Sequence, residues 1–330
     1  MSNREIPLLV VSCDKYSDLW EPFFSVFWKR WPDCPYAVYL GSNQKTFGHD
    51  RVKPIIIGED VTWSSNVLKM LDILNSSHVI IMLDDFLVQQ PVNTQHVEHL
   101  VSTAIRRNVD CLRLGDANLH RNPQGVQNDY SKDVSLCAPS ESVPDETGIG
   151  IIVGGTPYRV STQISLWKVE TLRKYLLPGF NAWQFEEIGS QLSDLNNDQF
   201  WSVWEPVIVY DHGVEKGKWK PEGLLICSEA GVEVDLSLRG VFDEKELRVH
   251  YLASRRGREL YEIKSSAIEK FLKGCRLEAL RSALNYAIKM PSDVGIWGVI
   301  IFGLLGRNPL LWLKRRYILM KSVRYGKQVR

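Results

Sequence analysis

The sequence predicts an α/β fold organised on a largely parallel sheet, and three observations carry that expectation. The run Val79-Ile80-Ile81-Met82-Leu83 is apolar throughout and rich in β-branched residues, as a strand buried on both faces would be. It runs directly into Asp84 and Asp85, whose charges cannot stay inside such a strand without partners, so they should emerge at its carboxyl end. From Pro7 onward, apolar strands alternate with helical patterns in the order strand, helix, strand, strand, helix, strand, which is the opening of a nucleotide-binding sheet. In open sheets of this class ligands bind outside the carboxyl ends of the strands.

Taken in order, Pro7 to Ser12 is a first apolar strand ending at Cys13-Asp14-Lys15-Tyr16. A helix follows over Leu19 to Trp31, where Phe23, Phe24, Phe27, Trp28 and Trp31 form one aromatic, core-facing side before Pro32 stops it. Strands are expected at Tyr36 to Leu40, followed by a polar turn at Gly41-Ser42-Asn43, and at Lys53 to Ile57. Trp63-Ser64-Ser65-Asn66 opens a second helix with a serine cap and apolar residues at Val67, Leu68, Leu71 and Leu74. After the acidic strand come a helix over Thr94 to Arg107 and a strand at Cys111 to Leu114. Residues 116 to 150 are rich in Asn, Pro, Ser, Asp and Gly and read as a functional lid or as short hairpins. A strand at Tyr158 to Gln163, a helix at Val169 to Leu177 and a strand at Val207 to Tyr210 follow; the aromatic-acidic segment 182 to 190 has no clear period, and 223 to 250 is hard to assign. Lys264 to Lys289 reads as one helix.

The 330 residues are enough for one large α/β domain with an appendage or for two domains, and the expected division is 1–250 and 251–330. Lys and Arg (40) nearly balance Asp and Glu (39), which gives no reason to expect a nucleic-acid partner. Six cysteines stand singly, against a zinc site or disulfide framework and in keeping with a reducing cytoplasm. The start runs almost directly into a strand, so no signal peptide is expected. The last part changes character. Val294 to Gly306 is thirteen residues without a charge, and Arg307 to Arg330 has eight Lys or Arg and no acid, interleaved with Leu, Tyr and Trp312. That is the composition of an interfacial membrane element, and no stretch reaches the ~20 apolar residues needed to span a bilayer. A helical hairpin packed on the main domain is the plainer alternative.

Three polar clusters follow apolar stretches, and together they suggest chemistry. Asp84 or Asp85 would hold Mg²⁺ or Mn²⁺, with His212 as a further ligand, and so grip a diphosphate. Lys216 and Lys218 would neutralise charge on a departing phosphate, and Glu186 or Glu187 would accept the proton of an attacking hydroxyl. Each cluster also has a bland explanation: a turn cap for the aspartates, a solvated helix start for the glutamates, a surface turn for the lysines.

With these residues in view, the chain resembles bacterial glycosyltransferases of the GT-A fold, family-2-like, of the kind found in polysaccharide and O-antigen assembly. The matching pieces are Val11 to Tyr16 with Trp20, Leu83-Asp84-Asp85-Phe86 in the place of the acidic metal motif, Tyr158 to Ser161 through Leu166-Trp167-Lys168, Trp183-Gln184-Phe185-Glu186, and Gly213 to Trp219. The resemblance implies a Rossmann-related, nucleotide-sugar-binding GT-A-like sheet with a helical, basic C-terminal extension. It implies transfer from a nucleotide-sugar donor to a sugar hydroxyl, with inversion; the basic, apolar C-terminus adds the expectation of a lipid-linked glycan acceptor and of a peripheral enzyme on the cytoplasmic face of the cell membrane. By the same resemblance Ser12, Asp14 and Tyr16 would face the nucleotide base, with Ser42, Asn43, Trp63 and Ser64 beside them, Asp84 on the sugar or ribose, Asp85 on the metal and Glu186 as base. One departure stands out: the family motif is Asp-any-Asp, and Phe86 occupies the second acidic place. The rivals are a nucleotidyltransferase acting on sugar phosphates and a non-catalytic carbohydrate-binding protein on the same fold. The first would want a glycine-rich loop after the first strand, and Ser12 to Tyr16 has no glycine.

Overall fold

The structure is a computed structural model that describes residues 6–117, 139, 141–243, 245–246, 249, 259–260, 263–264, 266–268 and 270–326. Most of the proposed lid, residues 118–138 and 140, lies outside the described residues. The chain is the expected α/β type. In order it forms β1 (Pro7–Val11), α1 (Trp20–Arg30), β2 (Ala37–Ser42), β3 (Val52–Ile56), α2 (Trp63–Leu74), β4 (His78–Leu83), β5 (Phe86–Val88), α3 (Thr94–Arg106), β6 (Cys111–Arg113) and β7 (Gly115–Ala117). There follow β8 (Glu141–Ser142), β9 (Ile149–Ile151), β10 (Ser165–Lys168), α4 (Val169–Tyr175), α5 (Ala182–Ser193), β11 (Phe200–Val203), β12 (Ile208–His212), β13 (Val214–Glu215), β14 (Lys218–Trp219) and α6 (Pro221–Glu229). Three helices end the chain: α7 (Arg276–Lys289), α8 (Val294–Leu305) and α9 (Arg307–Gly326).

The main sheet has the order β3-β2-β1-β4-β10-β6-β11-β9-β8. Its first four strands are mutually parallel, and β10 enters antiparallel between β4 and β6. Period-2 alternation sends Leu8, Val10, Ile80 and Met82 into the core beneath α1 and α3, and Leu9, Val11, Val79 and Ile81 into the core beneath α2, α4 and α5. Both faces are therefore covered, which is why β1 and β4 read as continuous apolar runs. The parallel order also sets the functional edge, because β1 and β4 are adjacent and end together at Ser12 and Asp84.

A smaller sheet, β5-β12-β7, continues from that edge. Asp84 and Asp85 form the turn between β4 and β5, and β12 runs antiparallel to β5 with His212 opposite Phe86. Helix α6 is fastened to the end of β12, where Lys220 N donates to Gly213 O at 2.9 Å. A Cβ on Gly223 would lie 2.5 Å from Gly213 Cα, so the helix approaches the strand backbone to backbone. Gly223→Val should push α6 off β12, costing about 1–3 kcal/mol by overpacking, read as a lower midpoint in denaturant unfolding, and should shift His212 with it.

Three expectations need correction. The strand placed at Tyr158 to Gln163 is instead a string of turns and bends, and the strand starts at Ser165. There the backbone donors serve side chains rather than a ladder: Val160 N donates to Ser190 Oγ and Thr162 N to Glu186, while Tyr158 sits at φ 53°. The aperiodic segment 182–190 is helix α5, opened by a capping box between Asn181 and Gln184. The single helix over Lys264 to Lys289 is interrupted at Gly274, whose φ is 83°, and α7 starts afresh at Arg276. Among the described residues no helix is long and apolar enough to cross a membrane.

Candidate active site

The site is laid out at the carboxyl ends of β1 and β4. The Trp20 indole donates to Ser12 Oγ at 2.7 Å, and the Ser12 hydroxyl donates to Asp84. Asp84 is buried, and burial, reinforced by the charge of Asp85, drives its carboxyl well above the usual range. It is therefore tied into the protein, whereas Asp85 is turned outward, with its carboxylate 3.5 Å from His212 Nδ1. Burial pulls His212 down, but Asp85 and Asp211 push it up, and the net direction is up.

The register of the small sheet explains Phe86. It faces the core, stacked on Tyr210 at 4.3 Å with the His212 ring edge-on at 4.9 Å. The position that would carry a second acid is thus a floor tile, and the neighbour that reaches Asp85 arrives from β12 across the strand pair. The strand backbone at His212 is braced: its main-chain N–H donates to Asp211 Oδ1 at 2.7 Å, and the buried Lys220 ammonium donates to the same oxygen at 2.9 Å.

Glu186 lies on α5. Its Oε1 accepts from Thr162 N at 2.7 Å and from Thr162 Oγ1 at 2.8 Å. Burial raises its pKa, while Thr162 and the charges of His212 and Arg113 oppose that shift without cancelling it. Glu187, its neighbour, is partly buried and makes no comparable contact with Thr162.

The nucleotide side is more mixed. Asp14 ties the ends of β1 and β2 together, accepting from the backbone of Asn43, Gln44 and Lys45 at 3.0–3.1 Å, while Asn43 Oδ1 accepts from Asp14 N. Ser42 is buried and donates to Lys45 O, and Ser64 is buried at the start of α2. Trp63 packs on Phe185 at 5.0 Å, which joins α2 to the helix of Glu186. Tyr16 remains partly open, and the guanidinium of Arg239 lies 4.5 Å over its ring. Burial raises the Tyr16 pKa, with Asp84 and Asp85 adding to it against Arg239.

The two lysines lie on the β13–β14 hairpin. Lys218 donates to Glu246 at 2.7 Å, and Lys216 is an exposed residue at φ 48° in the turn joining β13 to β14. The cations whose charge bears on this cluster are Lys220, on His212, Arg239, on Asp84, and Arg113, on Glu186. Arg239 is held by a two-point pair to Asp18, at 2.5 and 2.8 Å, and by Lys15 O. Sequence reasoning missed it because it comes from the segment 223–250 that could not be assigned.

Do these residues suit a divalent cation? Among the described residues no group of three His, Cys, Asp or Glu side chains is set to enclose one. Asp85 and His212 do form a convergent oxygen–nitrogen pair beside a second, destabilised carboxylate, and a cation would relieve that crowding. A pair of this kind suits Mn²⁺ or Mg²⁺ that takes its remaining ligands from water and phosphate.

No family model matches the chain, and no curated protein is similar to it. Among solved structures, the fold is similar to S. aureus TarS, with a TM-score of 0.42 and 12% identity over 94% of this chain and 55% of that one. The chain thus spans little more than half the length of that protein. It is also similar to a UDP-glucose pyrophosphorylase complexed with UDP-glucose, with a TM-score of 0.39 and 8% identity over 68% of this chain and 96% of that one. The galactosyltransferase LgtC, in complex with donor and acceptor sugar analogs, gives 0.29 and 10%, over 72% and 88%. Likenesses of this size carry no functional weight, and the side chains must supply it.

Proposed function

We propose that the protein is an inverting glycosyltransferase that moves a sugar from a nucleotide-sugar donor to a hydroxyl of a lipid-linked glycan. The observation that carries the reading is the Asp85–His212 pair, 3.5 Å apart where β4 ends, together with a glutamate, Glu186, held on α5 by two hydrogen bonds from Thr162. Glu186 takes the proton of the acceptor hydroxyl as its oxygen bonds to the anomeric carbon; the bond to the diphosphate breaks and its electrons leave with the phosphate. The raised pKa of Glu186 makes it a stronger base than an exposed glutamate. Trp183, 76% exposed one helical turn before Glu186, offers a flat apolar face to an acceptor sugar ring. Tyr16 and the Asp14–Asn43 turn line the nucleotide side. Asp85 and His212, with Asp84 behind them, would hold Mn²⁺ or Mg²⁺, which when bound supplies positive charge for the leaving diphosphate.

The nucleotidyltransferase alternative is less well supported. The residues after β1 wind into a short 3₁₀ turn at Asp14–Leu19, pinned by Asp14 and Arg239, rather than a glycine-rich cradle for a triphosphate. On the favoured reading, residues 1–250 are the catalytic unit and 251–330 hold it on the cytoplasmic face of the membrane, where the lipid-linked acceptor is. A thermal-shift screen of nucleoside diphosphates with and without Mn²⁺ tests the site directly. One diphosphate should raise the melting temperature selectively and only with the ion; equal shifts for all bases, or none, would count against it.

A further inference from the structure

Helix α9 has two unlike faces. Towards the sheet, Lys314 is buried in an ion pair with Asp194, the residue that ends α5, and Ile318 packs with Phe180 and Ile188. Asp194 also accepts from Gly155 N at 2.7 Å, so the pair is fixed on both sides. Glu186 stands two turns back along the same helix, roughly 12 Å away at 1.5 Å per residue.

The other face is apolar and exposed. Trp297, Ile301, Leu304 and Leu305 share one side of α8, with Leu305 66% exposed, and Trp312 and Leu319 extend the strip along α9. Trp312 stacks on Phe302 at 5.8 Å, which joins the two helices, and Arg316 lies 5.3 Å over its ring. Arg315 and Arg316 are exposed and flank Trp312 on α9, and there is no acid after Asp293. A second copy is a poor occupant, since a two-fold interface would set these arginines against themselves. The twelve residues of α8 are about 18 Å long, too short to span a bilayer but sufficient to lie in its surface.

We propose that the exposed face of α8 and α9 docks on an anionic lipid surface, and that the buried Lys314–Asp194 pair transmits docking to the helix that carries Glu186. The proposal rests on the transferase reading only for the meaning of Glu186. Lipid binding then stiffens α5, so the base is held in place when the enzyme is at the surface where its acceptor resides.

The test uses the full chain with vesicles containing phosphatidylglycerol and with vesicles of phosphatidylcholine alone. Partition onto the anionic vesicles should be at least about tenfold stronger and should weaken with salt. The double variant Ile301→Glu, Leu305→Glu changes only exposed positions of α8 and should lower that partition about tenfold or more. Amide hydrogen exchange over residues 182–193 should slow several-fold on docking. Asp194→Asn, which can still accept from Gly155 N, should dock normally yet lose that protection. Equal binding of the double variant and the parent, or equal partition onto both vesicles, would overturn the docking surface, as would a lipid-free dimer that the double variant dissociates. Docking with unchanged exchange in α5 would overturn the coupling. None of these readouts needs turnover, so a protein that docks but transfers nothing sinks the transferase reading alone, and an active one that ignores vesicles sinks only the docking.

Discussion

Glu186→Gln should lower turnover by about two to four orders of magnitude while leaving the donor KM within a few-fold, the pattern of a lost general base. The substitution is unusually clean here. The contacts with Thr162 fall on one oxygen, and a glutamine carbonyl can accept both at the same place. What disappears is the charge and the capacity to take a proton. In the parent, kcat/KM should fall with acid through a limb above the ordinary glutamate value of 4.5, because burial raises the folded pKa. Stability gives a second readout with a defined sign. A raised folded pKa favours folding below the unfolded value, and that contribution is lost as pH rises through the folded one. The parent therefore carries the penalty of a buried charge at neutral pH, and the glutamine variant does not. Its melting temperature should exceed the parent's near pH 7, with the gap closing below 4.5. A variant that keeps full turnover would exclude Glu186 as the base and turn attention to Glu187.

How much of this was legible in the sequence depended on how far apart the interacting residues are. The parallel half of the sheet was readable because burial on both faces leaves continuous apolar runs, and because Asp84 and Asp85 mark where β4 must end. Helix α5 was hidden by its own chemistry. Phe185 and Ile188 are buried while Trp183 is exposed, so the apolar positions do not trace one stripe. The better signal was the local capping box at Asn181 and Gln184. The misplaced strand at 158–163 has the composition of a strand, but its backbone donors are claimed by Ser190 and Glu186, which only the tertiary fold brings near. Lys218 is near His212 in sequence, and its ammonium pairs with Glu246, a partner 28 residues on that no local pattern marks. Arg239 could not have been found by any local pattern, since its partner Asp18 is 221 residues away.

The other large effect should come from Asp85→Asn. The backbone carbonyl of Asp85 accepts from Gly213 N at 2.7 Å, and that bond survives the substitution, so the turn into β5 should persist. The side chain loses the charge that faces His212 and that, on the proposed reading, would help hold the cation. Outer partners of metal ligands typically cost 10–100-fold when removed, so loss of the outward carboxylate itself should cost at least about a hundredfold in turnover. His212→Ala should act in the same direction with a smaller loss. Two controls separate charge from structure. Chelation with excess EDTA should abolish turnover in the parent and be reversed by Mn²⁺, and Mn²⁺ with a nucleoside diphosphate should raise the melting temperature of the parent but not of Asp85→Asn. Undiminished turnover in EDTA would remove the metal from the mechanism. The charge on the leaving phosphate would then have to be met by the protein's own cations, and among the described residues Arg239 lies over Tyr16 and acts on Asp84. In that case Arg239→Ala, rather than chelation, would produce the large loss.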